Sequence, residues 1–171
     1  MSTHWEIVDV RGTSEIPGLP GVRLEELPIY GDSRGTLHEL FREDEIPAGF
    51  EPVMACSSWS GPGIGRGPHQ HVGQDDYFTF AGPSDFTVFL WDDRLGAGGS
   101  ARGWRIATGA QAPSRLYVPR GVVHAYRNDG STHGLVVTVT NLLFRGKGKQ
   151  GPVDEIRHEL NPQSPYKIPN S

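Results

Sequence analysis

Twenty-three glycines and fourteen prolines are scattered through 171 residues. That density of chain-breaking residues constrains the fold more than any other feature. It leaves only short apolar runs, with no room for an amphipathic helix of ordinary length. No Gly-X-Y period is present, so a collagen-like rod is excluded. Short apolar runs separated by turn residues read as strands. The strongest is Phe86-Thr87-Val88-Phe89-Leu90-Trp91, rich in aromatic and β-branched residues. Further strands are expected at 22–27, 36–41, 54–59, 69–71, 76–80, 104–106, 115–118, 125–127 and 135–143, with a short one around Ile7 to Val10. This spacing predicts an all-β barrel or sandwich in a single domain over residues 1–171. Residues 1–20 read as a lead-in arm, 92–102 as a Gly-rich turn, and 146–171 as a surface tail.

The net charge of −4 comes without any basic block, which argues against a nucleic-acid partner. Cys56 is the only cysteine, so no intrachain disulfide forms; its apolar neighbours Val53, Met54 and Ala55 read it as a buried thiol. Residues 1–10 are polar and mixed, without the pattern of a signal peptide, and no membrane span is legible. The expected location is the cytoplasm.

Histidine clusters in one stretch, residues 63–82, GIGRGPHQHVGQDDYFTFAG. His69 and His71 are two apart, which on a strand puts both imidazoles on one face, about 6–7 Å apart. Convergent imidazoles suit a divalent metal such as Zn, Fe, Ni or Mn. Asp75 and Asp76 each offer a carboxylate, and adjacent strand residues face opposite ways, so one of the two points inward. His124 is available as a third imidazole. No organic cofactor is expected.

The same stretch matches the first cupin motif at Gly63, His69, His71, Asp75 and Gly82. The second motif is matched at Pro119, Gly121, His124 and Asn128. The chain thus resembles the cupin superfamily, which implies a double-stranded β-helix (jelly-roll) barrel. A narrower resemblance spans nearly the whole chain. The run Asp32-Ser33-Arg34-Gly35-Thr36-Leu37-His38-Glu39-Leu40-Phe41, then Ser58, Arg66-Gly67-Pro68-His69, Trp91-Asp92-Asp93-Arg94 and 119–124 are similar to the dTDP-4-dehydrorhamnose 3,5-epimerase family.

That resemblance implies a homodimer that exchanges edge strands. It implies a histidine base, here His69, that removes a proton beside the C4 ketone of a nucleotide-linked sugar. It implies that Arg66 contacts the diphosphate, and that Arg34 and Glu39 reach the nucleotide, in the partner subunit if not in their own. Three positions depart from the family pattern. Asp76 lies near the position of the enolate-stabilising lysine. Phe144 is the aromatic nearest the position of the acid tyrosine. Asn161 lies where an aspartate pairs with the base. The run 66–71 also resembles sugar 3,4-ketoisomerases, in which both histidines, here His69 and His71, move protons.

These readings lead to an epimerase- or isomerase-like cupin acting on a nucleotide-linked 4-keto-6-deoxy sugar or related ketone. The alternatives are a metal-dependent oxygenase or lyase holding its ion through His69, His71, Asp75 (or Asp76) and His124, and a non-catalytic sugar-nucleotide-binding cupin. The expected partners are a small-molecule substrate and a second copy of the chain, with no membrane.

Overall fold

The computed structural model describes residues 3–12 and 14–169. Along the chain the strands are β1 (His4–Val8), β2 (Arg23–Glu26), β3 (Tyr30–Asp32), β4 (Gly35–Leu37), β5 (Met54–Ser60), β6 (Gly65–His71) and β7 (Asp76–Phe80). They continue with β8 (Asp85–Asp92), β9 (Arg102–Gly109), β10 (Ser114–Val118), β11 (Val122–Asn128), β12 (Gly134–Thr140) and β13 (Glu155–Arg157). Two sheets result. One runs β1-β9-β8-β11-β6-β13, the other β2-β10-β7-β12-β5, and β3 and β4 form a separate hairpin. Pairing is antiparallel except for β1, which lies parallel to β9. This is the jelly-roll arrangement of a cupin barrel, with two sheets face to face over one core.

The alternation within β8 shows why its run is apolar throughout. Phe86, Val88 and Leu90 point between the sheets and join Phe80, Leu116 and Val136 in the core. Phe89 and Trp91 point outward, where a sheet face would meet water. They are instead covered by Trp5 and by Tyr166 and Ile168 from the end of the chain. A strand buried on both faces loses its polar alternation.

Five expectations change. The lead-in is part of the barrel: β1 extends a sheet, and Val10, Ile16 and Leu19 are buried in the core. The strand expected over 36–41 pairs only at Gly35–Leu37, all exposed, because its partner β3 is three residues long. The turn expected over 92–102 is largely a 3₁₀ segment, Asp93–Ala101, broken at Gly96. The surface tail is structural: β13 pairs with β6, and Tyr166 is buried against Trp91. Cys56 is exposed rather than buried, because β5 is a sheet edge. Among the described residues no helix is long and apolar enough to cross a membrane.

Phe80 is 1% exposed and meets Phe86 and Tyr126 with ring centroids 5.6 and 5.7 Å away. Phe80→Ala should lower unfolding free energy by about 3–5 kcal/mol, read as a fall in the denaturation midpoint with an unchanged m-value.

Candidate active site

β6, the start of β7 and β11 meet at the cavity. In the β6–β11 ladder His69 lies opposite His124. Pro68 and Gln70 alternate away, and Gln70 is buried on the other side, where it donates to Asp93 at 3.0 Å. The three imidazoles converge. Ring centroids are 4.4 Å apart for His69–His124, 5.7 Å for His69–His71 and 5.8 Å for His71–His124. One nitrogen from each lies within 4.8 Å of the others.

Asp76 completes this group from the opposite sheet. Its Oδ2 stands 3.2 Å from His71 Nε2 and 3.3 Å from His124 Nε2. Gln74 Nε2 donates to Oδ1 at 2.8 Å. Asp76 is therefore the inward carboxylate. Asp75, placed first among the candidate ligands, turns away. Its carboxylate accepts from the Arg120 backbone N–H at 2.8 Å and from Asn141 at 3.2 Å, and pairs with the Arg120 guanidinium. The reason is position: Asp76 begins β7 with its side chain between the sheets, while Asp75 is the last residue of the turn.

Arg66 and His69 both line the cavity although they are three apart in sequence. On a regular strand that odd spacing would put them on opposite faces. The ladder shifts register here: His124 pairs with His69, but Tyr126 pairs with Arg66, so two steps on β11 match three on β6. A bulge of this kind restores a common face. Gly67 occupies it with φ +82°, and an added Cβ would stand 2.6 Å from the His124 carbonyl oxygen and 3.1 Å from the His69 nitrogen. Arg66 itself leans on β5, donating to Ser60 Oγ and to the Trp59 carbonyl, each at 3.3 Å.

Two carboxylates at the end of the chain were not singled out from sequence. In the β13–β6 ladder Glu155 lies opposite His71 and Arg157 opposite His69. Glu155 Oε1 is 3.6 Å from His69 Nδ1, an ion-pair rather than a hydrogen-bond distance, and Arg157 holds its other oxygen at 2.5 Å. Asp154 fastens β13 to the β6–β7 turn: its carboxylate accepts from the N–H groups of Gly73 (3.0 Å) and Gln74 (2.8 Å). Its carbonyl lies 3.1 Å from His71 Nδ1. Glu155 thus stands beside the base position where Asn161 was expected. Asn161 instead accepts from Gln163 N–H in a turn. The one legible signal was the alternation of Glu155 and Arg157 about Ile156.

The cavity has a volume of about 400 Å³, with Leu143, Phe144, Arg145 and Val153 at its mouth. Arg34 and Glu39 do not line it. Arg34 pairs with Asp32 on the exposed hairpin at 2.5 Å, and Glu39 pairs with Arg42 at 3.3 Å. Those two pairings correct their placement at the site within one chain.

Charge is divided sharply inside. Burial, with His124 and His71 close by, pushes His69 down to about 2, so it is neutral. Burial also opposes a charge on His71, but the Asp76 hydrogen bond and charge outweigh it, and its pKa is raised. For Asp76 burial works against ionisation, yet the His124 and His71 imidazoles beside it hold its carboxyl below the usual range. His124 Nε2 is fully buried and, despite its nearness to Asp76, makes no aligned hydrogen bond. Three imidazoles, one of them with an unpartnered buried nitrogen, and one carboxylate form a donor set that fits a divalent metal.

No family model matches the chain. The spore coat polysaccharide biosynthesis protein SpsL of Bacillus subtilis is 30% identical over 128 residues, covering 74% of this chain and 82% of that protein. The probable low-salt glycan biosynthesis epimerase Agl13 of Haloferax volcanii is 28% identical over 130 residues, covering 75% of this chain and 83% of that protein. Among solved structures, RmlC from Streptococcus suis in complex with dTDP-D-xylose superposes with a TM-score of 0.67 at 21% identity, over 77% of this chain and 69% of that one. The fold and its paired motifs define a cupin. Within that class the chain belongs to the dTDP-4-dehydrorhamnose 3,5-epimerase-like proteins, as a divergent member.

Gly67→Ala should cost more than about 1 kcal/mol of stability and misalign His69 with Arg66. A lower melting temperature together with shifted His69 ring resonances checks this; an unchanged spectrum contradicts it. Asp154→Ala should free β13 while leaving the core intact, seen as faster amide exchange confined to residues 153–158.

Proposed function

We propose that the protein is an epimerase- or isomerase-type enzyme that moves a proton next to the ketone of a nucleotide-linked 4-keto-6-deoxy sugar. The observation that carries this reading is His69: a neutral imidazole in a half-closed cavity, flanked by Glu155 at 3.6 Å. Two features of the relatives support the substrate class. SpsL and Agl13 are named for polysaccharide and glycan biosynthesis, and the Streptococcus suis structure carries dTDP-D-xylose.

With Nδ1 turned to Glu155, Nε2 of His69 is the nitrogen left to accept a proton. A proton α to a ketone is acidic enough for imidazole when the enolate is stabilised. Asp76 cannot do this directly, since it is a carboxylate. It acts through His71, whose raised pKa favours the imidazolium. The cation that the family draws from a lysine is here supplied by a histidine backed by an aspartate. Arg66, with Arg145 and Arg157 at the cavity rim, offers guanidinium groups to a diphosphate.

A homodimer is part of this proposal. The β3–β4 hairpin is exposed at all six strand positions, and it carries Arg34 clear of its own cavity. A second copy is where Arg34 and Glu39 would meet a nucleotide. The lone thiol suits a reducing cytoplasm.

In deuterium oxide, a dTDP-4-keto-6-deoxyhexose should acquire solvent deuterium beside the ketone, and His69→Ala should reduce that rate roughly 10²- to 10⁴-fold. Absence of wash-in with the native protein would contradict the reading. One observation favours a second reading, the unpartnered His124 Nε2. A divalent Zn, Fe, Ni or Mn held by His69, His71, His124 and Asp76 would supply Lewis-acid polarisation of a carbonyl. Stoichiometric metal in the purified protein, lost in His71→Ala, would favour it; trace metal alone would count against it.

A further inference from the structure

A three-residue strand at a sheet edge has little of its own to hold it in place. In β13 Glu155 is half-buried, and Ile156 and Arg157 are exposed. Yet this strand keeps Glu155 beside His69. On its N-terminal side Asp154 fastens it to the β6–β7 turn. The fastening on its C-terminal side lies on the outer face of the six-stranded sheet.

Asp93 directly follows β8, so the pairing of β8 with β9 and β11 fixes its backbone. Its two carboxylate oxygens serve different partners. Oδ2 accepts from Gln70 Nε2 at 3.0 Å, and Oδ1 accepts from the Tyr166 hydroxyl. Gln70 stands between His69 and His71 on β6 and points the opposite way. Its backbone lies opposite Ile156 in the β13 ladder. One carboxylate thus binds both the strand that carries the imidazoles and the segment that brings Glu155.

Tyr166 passes that hold on to β13. It is 3% exposed, with its ring 5.8 Å from Trp91 and 4.7 Å from His158. Its N–H donates to Ser164 Oγ at 3.2 Å, and the same Oγ lies 3.3 Å from His158 Nδ1. His158 directly follows β13. Burial and the Asp93 carboxylate push the phenol pKa up, so Tyr166 stays a donor. Two other contacts of this segment, Arg127 with the Pro169 carbonyl and Lys167 with the Asn161 carbonyl, involve residues of neither β6 nor β13.

We propose that Asp93 is a positioning residue: by binding Gln70 and Tyr166 on the outer face of the sheet, it holds Glu155 against His69 on the inner face. Its effect on catalysis rests on the epimerase reading above.

The test reads His69 first without substrate. In the free protein, Tyr166→Phe should move the His69 ring nitrogen resonances in the direction that Glu155→Gln moves them. Asp93→Ala should do the same. Asp93→Asn should restore the native positions, because the new amide can still accept from Tyr166. Its N–H can meet Gln70 Oε1, which is otherwise unpartnered. Adding Tyr166→Phe to Glu155→Gln should move the resonances no further. Lys167→Ala, an exposed change in the same segment, should leave them native. With a dTDP-4-keto-6-deoxyhexose in deuterium oxide, Tyr166→Phe should lower kcat for wash-in roughly tenfold, with KM within about two-fold of native. Native His69 resonances in Tyr166→Phe, a further shift in the double variant, or an equal shift in Lys167→Ala overturns the assignment. No wash-in by the native protein overturns the epimerase reading alone, since the resonances are read without substrate.

Discussion

A buried carboxylate between two imidazoles ties the two sheets together at the site. Asp76 begins β7 in the five-stranded sheet, while His71 and His124 come from β6 and β11 in the other. A carboxylate buried without such partners would cost several kcal/mol. Here each of its oxygens has a neighbour, with Gln74 bonded to the one the histidines leave. The network fixes the spacing between sheets where the cavity opens. It also sorts the protons: Asp76 is ionised, His71 favours its charged form, and His69 is neutral. Asp76, which lies near the position of a lysine in the family the chain resembles, raises the pKa of His71 instead.

Two backbone devices place the remaining groups. The bulge at Gly67 reverses side-chain parity within β6, so that an arginine and a histidine three apart share one wall. The second device is the chain end. Asp154 clamps it to the β6–β7 turn, the Tyr166 hydroxyl donates to Asp93, and Arg127 donates to the Pro169 carbonyl at 2.7 Å. Between these anchors only three residues pair with β6, yet they deliver Glu155 to His69. The same segment covers the outward aromatics Phe89 and Trp91. One segment thus covers the sheet face and completes the site.

Much of this was legible in the sequence, for physical reasons. Strands announce themselves through Gly and Pro punctuation and β-branched runs, and the His-x-His spacing forces a common face. The choice between Asp75 and Asp76 was not legible, because it depends on which residue ends the turn. Cys56 looked buried because its neighbours are apolar, but an edge strand leaves such residues open. Glu155 was hidden because β13 is three residues long and its one apolar residue, Ile156, is exposed. The burial of Val10, Ile16 and Leu19 in the lead-in was not legible, because they follow no strand period; turns place them in the core.

In the proposed reaction His69 faces the carbon next to the substrate ketone. A crystal structure with a dTDP-linked hexose bound tests it most directly. The expected result is His69 Nε2 within about 3–3.5 Å of a carbon adjacent to C4, with His71 near the C4 oxygen. A metal ion seated among His69, His71 and His124, or a sugar lying outside the cavity, would contradict it.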